Sequence, residues 1–433
     1  MSGKAWYLIL VLTLAYTISF VDRQVLNLLV EPIKAEYNLS DTRLSLLQGL
    51  AFTSSYILMS PIFGRLADTG NRRNILALGI ALWSIGTLFC GLARSYLQLF
   101  VARLSVGGAE ACLTPAAWSI IPDSVPAPMV PRAFSIYFMG PYLGGGLALI
   151  FGGILLDAAG GWNLAGWPIL ESLAPWQLVF VAVSCPGLLI AAMLLLVREP
   201  GHRGGSLAES REPMQLQEVW AVFVARRGFY FNFYLGMSAL IISLYAFPAW
   251  IPTVLIRVHG TDPAEVGIQY GTLVLVTGSV GVLTGPWLAK SLRLDQDVGG
   301  LLRIPIIASA LLVCVCMGLP LSPSYSFTLG MAGIAGLLYS LPQALGASAL
   351  QLATPGRMRG IASAIYVFAV SVVGLGAAPT IVAVITDHVF RDEKRVGASL
   401  AITCGTAALL AIFFLWRSRR HYILISEQIV NRD

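Results

Sequence analysis

A chain of 433 residues with only 12% charged and 57% hydrophobic side chains cannot cover a water-soluble particle, because soluble domains carry roughly 25% charge. Its length alone would allow two or three soluble domains, but a mean hydropathy of +0.76 overrides that. The net charge of +6 falls mainly in short loops between apolar runs, which suits a membrane protein and gives no reason to expect a nucleic-acid partner.

A membrane-crossing helix needs about 20 mostly apolar residues. Such windows lie near 5–29, 42–64, 74–93, 97–121, 133–156, 176–197, 229–255, 265–289, 302–320, 326–352, 360–386 and 396–416. The short alternating segments of a β-barrel are not seen. The expected fold is therefore all-α membrane: twelve transmembrane helices in two six-helix bundles related by a pseudo-twofold axis along the membrane normal. With the N-terminus inside, most of the 28 Lys and Arg residues fall on the cytoplasmic side. Both termini are then cytoplasmic, in a cell inner membrane. The six cysteines all sit in apolar windows without CxxC spacing. No metal, redox site or cofactor is expected from them.

The first window carries Asp22-Arg23 in its second half and no small-residue cleavage site, so it reads as a helix and not a leader. A charge at a helix centre costs about 2.5–3.5 kcal/mol on insertion scales, so both residues must face protein or water. Asp22 can pair with Arg103 or with its neighbour Arg23, and Arg23 is near enough to the outer end to snorkel. The Asn38-Leu39-Ser40 triplet in the first external loop is of a kind common by chance.

After helix 2 comes Gly64-Arg65-Leu66-Ala67-Asp68-Thr69-Gly70-Asn71-Arg72-Arg73. It resembles the loop 2–3 signature of the major facilitator superfamily, G-x-x-x-D-R-x-G-R-R/K. Gly64 would permit close helix approach. Asp68 would face a helix N-terminus or an arginine at a cytoplasmic gate, with Arg72 and Arg73 on the positive side. Thr69 replaces the usual arginine. Asn71 replaces a glycine, and asparagine also tolerates a left-handed backbone.

Helix 4 holds Arg103 and Glu110, seven residues or two turns apart. They share one face, offset by about 10 Å, with Gly107 and Gly108 between them and Pro115 beyond. In an apolar setting Glu110 is suited to take and release a proton. Arg103 offers a fork for phosphate or carboxylate. Glu110 and Asp22 are thus candidate proton-coupling groups, and Arg103 and Arg23 candidate substrate contacts. The alternative is a static ion network that only fixes helix packing.

Helix 5 contains Gly140-Pro141-Tyr142-Leu143-Gly144-Gly145-Gly146, which resembles the superfamily's G-P-x-x-G-G motif. Small residues there let backbones approach, and Pro141 can kink the helix. Pro175-Trp176-Gln177-Leu178-Val179-Phe180 resembles the family's W-R-x-x-F start of helix 6, with Gln177 in place of arginine.

The polar stretch 198–227 reads as a cytoplasmic linker between an N-terminal bundle (1–197) and a C-terminal bundle with a short tail (228–433). It is expected to include a short surface helix at 214–225. The halves repeat weakly: Gly374-Leu375-Gly376-Ala377-Ala378-Pro379 on helix 11 echoes the helix 5 motif. The second half shows no obvious intramembrane charge. Its candidate cavity residues are Tyr234, Tyr245, Gln343 and Tyr366, with Ser243, Gln269 and Gln351 also polar.

Three segments look like the spinster family within the superfamily. They are Tyr16 to Arg23, Asp68 to Arg73 (spinsters place Asn there), and Arg103-Leu104-Ser105-Val106-Gly107-Gly108-Ala109-Glu110-Ala111 followed by Pro122-Asp123. Spinsters export sphingosine-1-phosphate and lysophospholipids in animals. The resemblance therefore implies a proton-coupled, alternating-access exporter or flippase of an amphipathic lipid. Protons and a membrane lipid or amphipathic substrate would be its partners, acting on a monomer. A symporter of a small organic anion and an ungated lipid scramblase are the competing readings. No nucleophile–base motif suggests an enzyme.

Overall fold

The computed structural model describes residues 3–126, 129–159, 161–162, 167–196, 216–294, 298–321, 324–354 and 359–430. Among them regular structure is entirely helical. The helices are α1 (Gly3–Gln24), α2 (Val30–Tyr37), α3 (Asp41–Gln48), α4 (Leu50–Thr69), α5 (Arg72–Leu92), α6 (Tyr96–Glu110) and α7 (Leu113–Ser124). They continue with α8 (Val130–Tyr137), α9 (Gly140–Ala159), α10 (Pro168–Glu171), α11 (Pro175–Leu195), α12 (Leu216–Ala225), α13 (Arg227–His259) and α14 (Pro263–Ser291). The last are α15 (Val298–Leu301), α16 (Arg303–Gly318), α17 (Tyr325–Ser340), α18 (Pro342–Ala353), α19 (Arg359–Val370), α20 (Ala378–Val384) and α21 (Val396–Val430).

Eleven helical stretches among the described residues are long and apolar enough to cross a membrane. The protein is a multi-pass membrane protein. The window at 97–121 is divided into α6 and α7, each too short to cross alone. The break has a cause in the sequence. Pro115 has no N–H for the carbonyl of Ala111, and its ring crowds that carbonyl. Cys112 N–H instead bonds Ala109 in a tighter turn. Most of the expected linker lies outside the described residues, and α12 occupies 216–225 of the short helix expected there.

The chain divides into two compact units, Met1–Arg203 with Pro252–Leu275, and Gly204–Ile251 with Val276–Asp433. In the first, α1 packs on α9, α4 on α6, and α5 on both α6 and α11. Glycines set the close approaches. A Cβ at Gly144 would stand 2.6 Å from Phe20 Cβ, and one at Gly140 2.9 Å from Tyr16 Cβ. The helix 5 motif therefore seats α9 against the half of α1 that leads to Asp22. Pro141 causes no mid-helix kink: the chain breaks at Phe138-Met139, and Pro141 falls in the first turn of α9, where its missing N–H costs nothing.

In the second unit α16 packs on α17 and α21, and α20 on α21. The Gly374–Ala377 motif lies inside a π-helical stretch, 371–377. Pro379 cannot donate to the carbonyl of Leu375, so the preceding turn widens. The Pro379 carbonyl accepts from Trp250 Nε1 at 3.0 Å.

Candidate functional site

Asp22 and Arg23 lie in the last turn of α1, where a 3-10 turn at Val25–Asn27 redirects the chain. Arg103 and Glu110 lie on the face of α6 turned toward them. Gly107, between them, has no Cβ to strike Ser55 Oγ at 2.7 Å, so α4 can close on α6.

The pairing differs from what the sequence suggests. Arg23 does not snorkel out. It turns inward, and Nε (2.7 Å) and Nη2 (2.5 Å) both bond Glu110 Oε2. Its guanidinium lies 4.8 Å from the Phe20 ring centre, 4.5 Å from Phe52 and 5.4 Å from Tyr56. Aromatic faces hold a cation well where water is scarce. Asp22 pairs through its carboxylate with neither arginine. Arg103 bonds the backbone carbonyl of Asp22 (Nη1, 3.0 Å) and that of Leu47 (Nε, 3.4 Å).

All four charged groups are buried or nearly so. Several of their polar atoms meet no hydrogen bond of ordinary geometry: both Asp22 carboxylate oxygens, Glu110 Oε1 and Arg103 Nη2. Thr87 stands beside Asp22. The Tyr137 hydroxyl is buried and equally unsatisfied, with its ring stacked on Tyr16 at 4.6 Å. Tyr137 was not legible as a site residue. Its place follows from the break at Phe138-Met139, which no motif announces.

At the end of the unit that carries loop 2–3, Arg72 is fully buried. Its Nη1 donates to Asp123 Oδ2 (2.5 Å), Ser119 Oγ (2.9 Å) and the Ser119 carbonyl (3.2 Å). Arg73 donates to Asn74 Oδ1. Asn71 is extended, not left-handed. It caps α5, its side chain accepting from Asn74 N–H, which is a reason for asparagine there. Gly64 makes no close approach in this structure, since a Cβ there would meet nothing within 4 Å. The Asp68 and Thr69 side chains lie outside the described residues.

In the second unit Tyr234, Tyr245 and Tyr366 come to one region. Tyr234 donates to the Ala362 carbonyl at 3.1 Å. The Tyr366 ring is 6.0 Å from Phe233, and Tyr245 packs where a Cβ on Gly374 would stand. Gln343, at the start of α18, donates to the Tyr339 carbonyl of α17, Ser243 is buried, and the Gln351 side chain lies outside the described residues; Gln269, in the first unit, bonds Glu265.

One cluster escaped sequence reasoning. At the opposite end of the first unit, Asp41 is fully buried and accepts from Lys34 Nζ (2.7 Å) and from Arg257 Nη1 (2.8 Å) and Nη2 (3.1 Å). Arg257 also reaches Glu31 through Nε (3.1 Å) and Nη2 (2.6 Å). The apolar window stops at 255, yet α13 runs on to His259. Nearby, burial and then Glu36 push the half-buried Tyr37 phenol up to about 12. No group of three His, Cys, Asp or Glu able to hold a metal occurs among the described residues.

The family model of the Major Facilitator Superfamily matches residues 12–379. Protein spinster homolog 1 of Xenopus tropicalis is 28% identical, over 98% of this chain and 84% of its own. An MFS-type efflux pump of Mycolicibacterium smegmatis is 26% identical, over 97% and 94%. Among solved structures, a bacterial homolog to the human lysosomal transporter spinster, inward-facing and unoccupied, superimposes with a TM-score of 0.80 at 26% identity. That match covers 100% of this chain and 98% of the other. The occupied form gives 0.79 at 27% identity, over 99% and 98%.

Proposed function

The chain belongs to the Major Facilitator Superfamily and is a transporter, not an enzyme; from that premise we propose that it couples protons to the movement of an amphipathic lipid by alternating access. The cargo is a lysophospholipid or sphingoid phosphate, exported or flipped between leaflets. In this reading α6 and α7 together make one crossing and complete twelve helices. Those helices form two bundles, 1–197 and 228–433, joined by 198–227 and related by a pseudo-twofold axis. The monomer sits in the inner membrane with both termini cytoplasmic.

The observation that carries the proposal is the way the four buried charges are matched. Arg23 and Glu110 neutralise each other at hydrogen-bond distance. That leaves Arg103 with backbone carbonyls and one unsatisfied Nη2, beside an Asp22 carboxyl that accepts no bond of ordinary geometry. An uncompensated buried charge costs several kcal/mol. The charge on Arg103 is therefore balanced in one of two ways, by ionised Asp22 or by an anionic headgroup. Proton uptake at Asp22 frees Arg103 for the headgroup, and loss of the headgroup calls for loss of the proton. Glu110, with Oε1 unsatisfied, is the second carboxyl through which the Arg23 pair responds. Proton binding and headgroup binding are thereby linked through Arg103. The aromatic group around Tyr234, Tyr245 and Tyr366 and the amide of Gln343 suit the apolar body of such a cargo. The loop of Gly64, Asp68, Arg72 and Arg73 serves as the cytoplasmic gate.

The test is flux in proteoliposomes of a fluorescent lysophospholipid and of a small organic acid, each with and without a pH gradient. Lysolipid flux should rise with the gradient and vanish in Asp22→Asn and Glu110→Gln, with thermal stability retained. Arg103→Ala should weaken anionic lipid binding far more than Thr69→Ala. Full gradient-driven flux in Glu110→Gln sinks the assignment. Flux indifferent to the gradient means a scramblase, and flux of the organic acid alone means an anion symporter.

A further inference from the structure

A cavity of about 1000 Å³ opens in the first unit between α4, α5 and α6. Its rim is apolar and exposed: Leu97 at 68%, Phe89 at 55% and Val101 at 54%. Gly86 and Gly108 are part of its lining. A Cβ at Gly108 would stand 3.5 Å from Met59 Cγ, so the missing side chain is open groove.

The groove lies apart from the ion chemistry. On α6 its residues Val101, Leu104, Ser105 and Gly108 follow an i, i+3, i+4, i+7 stripe. At 3.6 residues per turn that stripe is centred about 160° around the helix from Arg103 and Glu110. Whatever fills the groove is therefore not at the charged site. The groove also makes no polar demand. Ser55 spends its hydroxyl on the Phe52 carbonyl (3.1 Å) and Ser105 on the Ala102 carbonyl (2.7 Å). From Leu97 to Ala109 it runs about 18 Å along α6, slightly more than the roughly 15 Å of hydrocarbon in one leaflet, half of a ~30 Å core.

Two arginines stand at its Leu97 end. Gln98, which lines the groove, accepts from the Arg94 N–H at 2.7 Å. Tyr96 donates to the Arg43 carbonyl at 3.0 Å. Both arginines are exposed, and neither has an ion pair among the described residues. A dry channel one leaflet long, with two exposed arginines held at its end by these backbone bonds, matches an acyl chain hanging from a phosphate.

We propose that this groove holds a resident anionic phospholipid of the bilayer, one acyl chain lying along α6 and its phosphate set against Arg94 and Arg43. The site is distinct from the transport site and does not depend on which cargo the protein moves.

The experiment places the full chain in nanodiscs containing phosphatidylglycerol or phosphatidylcholine, each with a diazirine-bearing acyl chain, and maps photolabelling by mass spectrometry. Labelling at residues 55–63 and 97–109 should exceed that on the exposed stripe of α21 at 409–413 several-fold. Gly108→Phe fills the groove and should abolish the excess with either lipid. Val101→Trp, at an exposed position, should do the same if the glycine variant fails to fold. Arg94→Gln and Arg43→Gln should each lower the phosphatidylglycerol-to-phosphatidylcholine ratio about fivefold. Even labelling over all lipid-facing helices, or an excess that survives both filling variants, overturns the groove. Equal labelling by the two lipids overturns the headgroup assignment.

Discussion

Replacing Arg257 with methionine keeps an unbranched apolar stem and removes the charged guanidinium. In the native cluster Asp41 is fully buried and accepts three charge-assisted bonds, two of them from Arg257. The variant leaves Asp41 with Lys34 alone. Hydrogen bonds to charged groups are worth about 1.5–3 kcal/mol each, so the two lost at Asp41 set an upper range of about 3–6 kcal/mol. Breaking a buried ion pair costs about 3–5 kcal/mol, which agrees. Glu31 adds little, because its side chain is 32% exposed and water replaces the arginine there. Unfolding in mixed micelles, followed by tryptophan fluorescence during a denaturing-detergent titration, measures the cost. Arg257→Met should lose about 3–5 kcal/mol and Glu31→Gln no more than about 1 kcal/mol. Asp41→Asn should fall between them, since Arg257 keeps Glu31. If Arg257→Met costs no more than Glu31→Gln, the bonds from Arg257 to buried Asp41 do not carry the stability assigned to them.

Two further outcomes use the same assay. Gly144→Ala puts a Cβ 2.6 Å from that of Phe20 and should destabilise by about 1–3 kcal/mol, whereas Gly64→Ala, with nothing within 4 Å, should be near neutral; equal effects would refute the packing argument. Arg72→Gln strands polar partners around a fully buried site and should cost about 3–5 kcal/mol, more than Asp123→Asn, whose side chain is 17% exposed; the reverse order would show that Asp123 is not held for the sake of Arg72.

Much of the fold was legible because bilayer spans announce themselves by apolar length, and the interruptions trace to named prolines. Pro115 explains the break after Glu110, and Pro379 the widened turn before it. Periodicity put Arg103 and Glu110 on one face and made α1 their natural neighbour. Partner choice was not legible. Whether Arg23 leaves for the surface or turns to Glu110 depends on the Phe20, Phe52 and Tyr56 rings, two of which come from a different helix. Asn71 misled for a related reason: asparagine serves both left-handed turns and helix caps, and only the backbone decides between them. Arg257 was missed because an apolar window ends at the first charge, while a helix ends where its backbone does.

The π-helical stretch at 371–377 has a geometric consequence of its own. A π turn takes up one residue more than an α turn. Tyr366 lies before the stretch, and Pro379, fastened by Trp250, lies after it. If the wide turn tightened to α without a change in chain length, the two flanks would shift in phase by about 100° and in height by about 1.5 Å. Relative to an uninterrupted α-helix, the segment therefore sets Tyr366 roughly a quarter-turn about the axis from the register of Pro379.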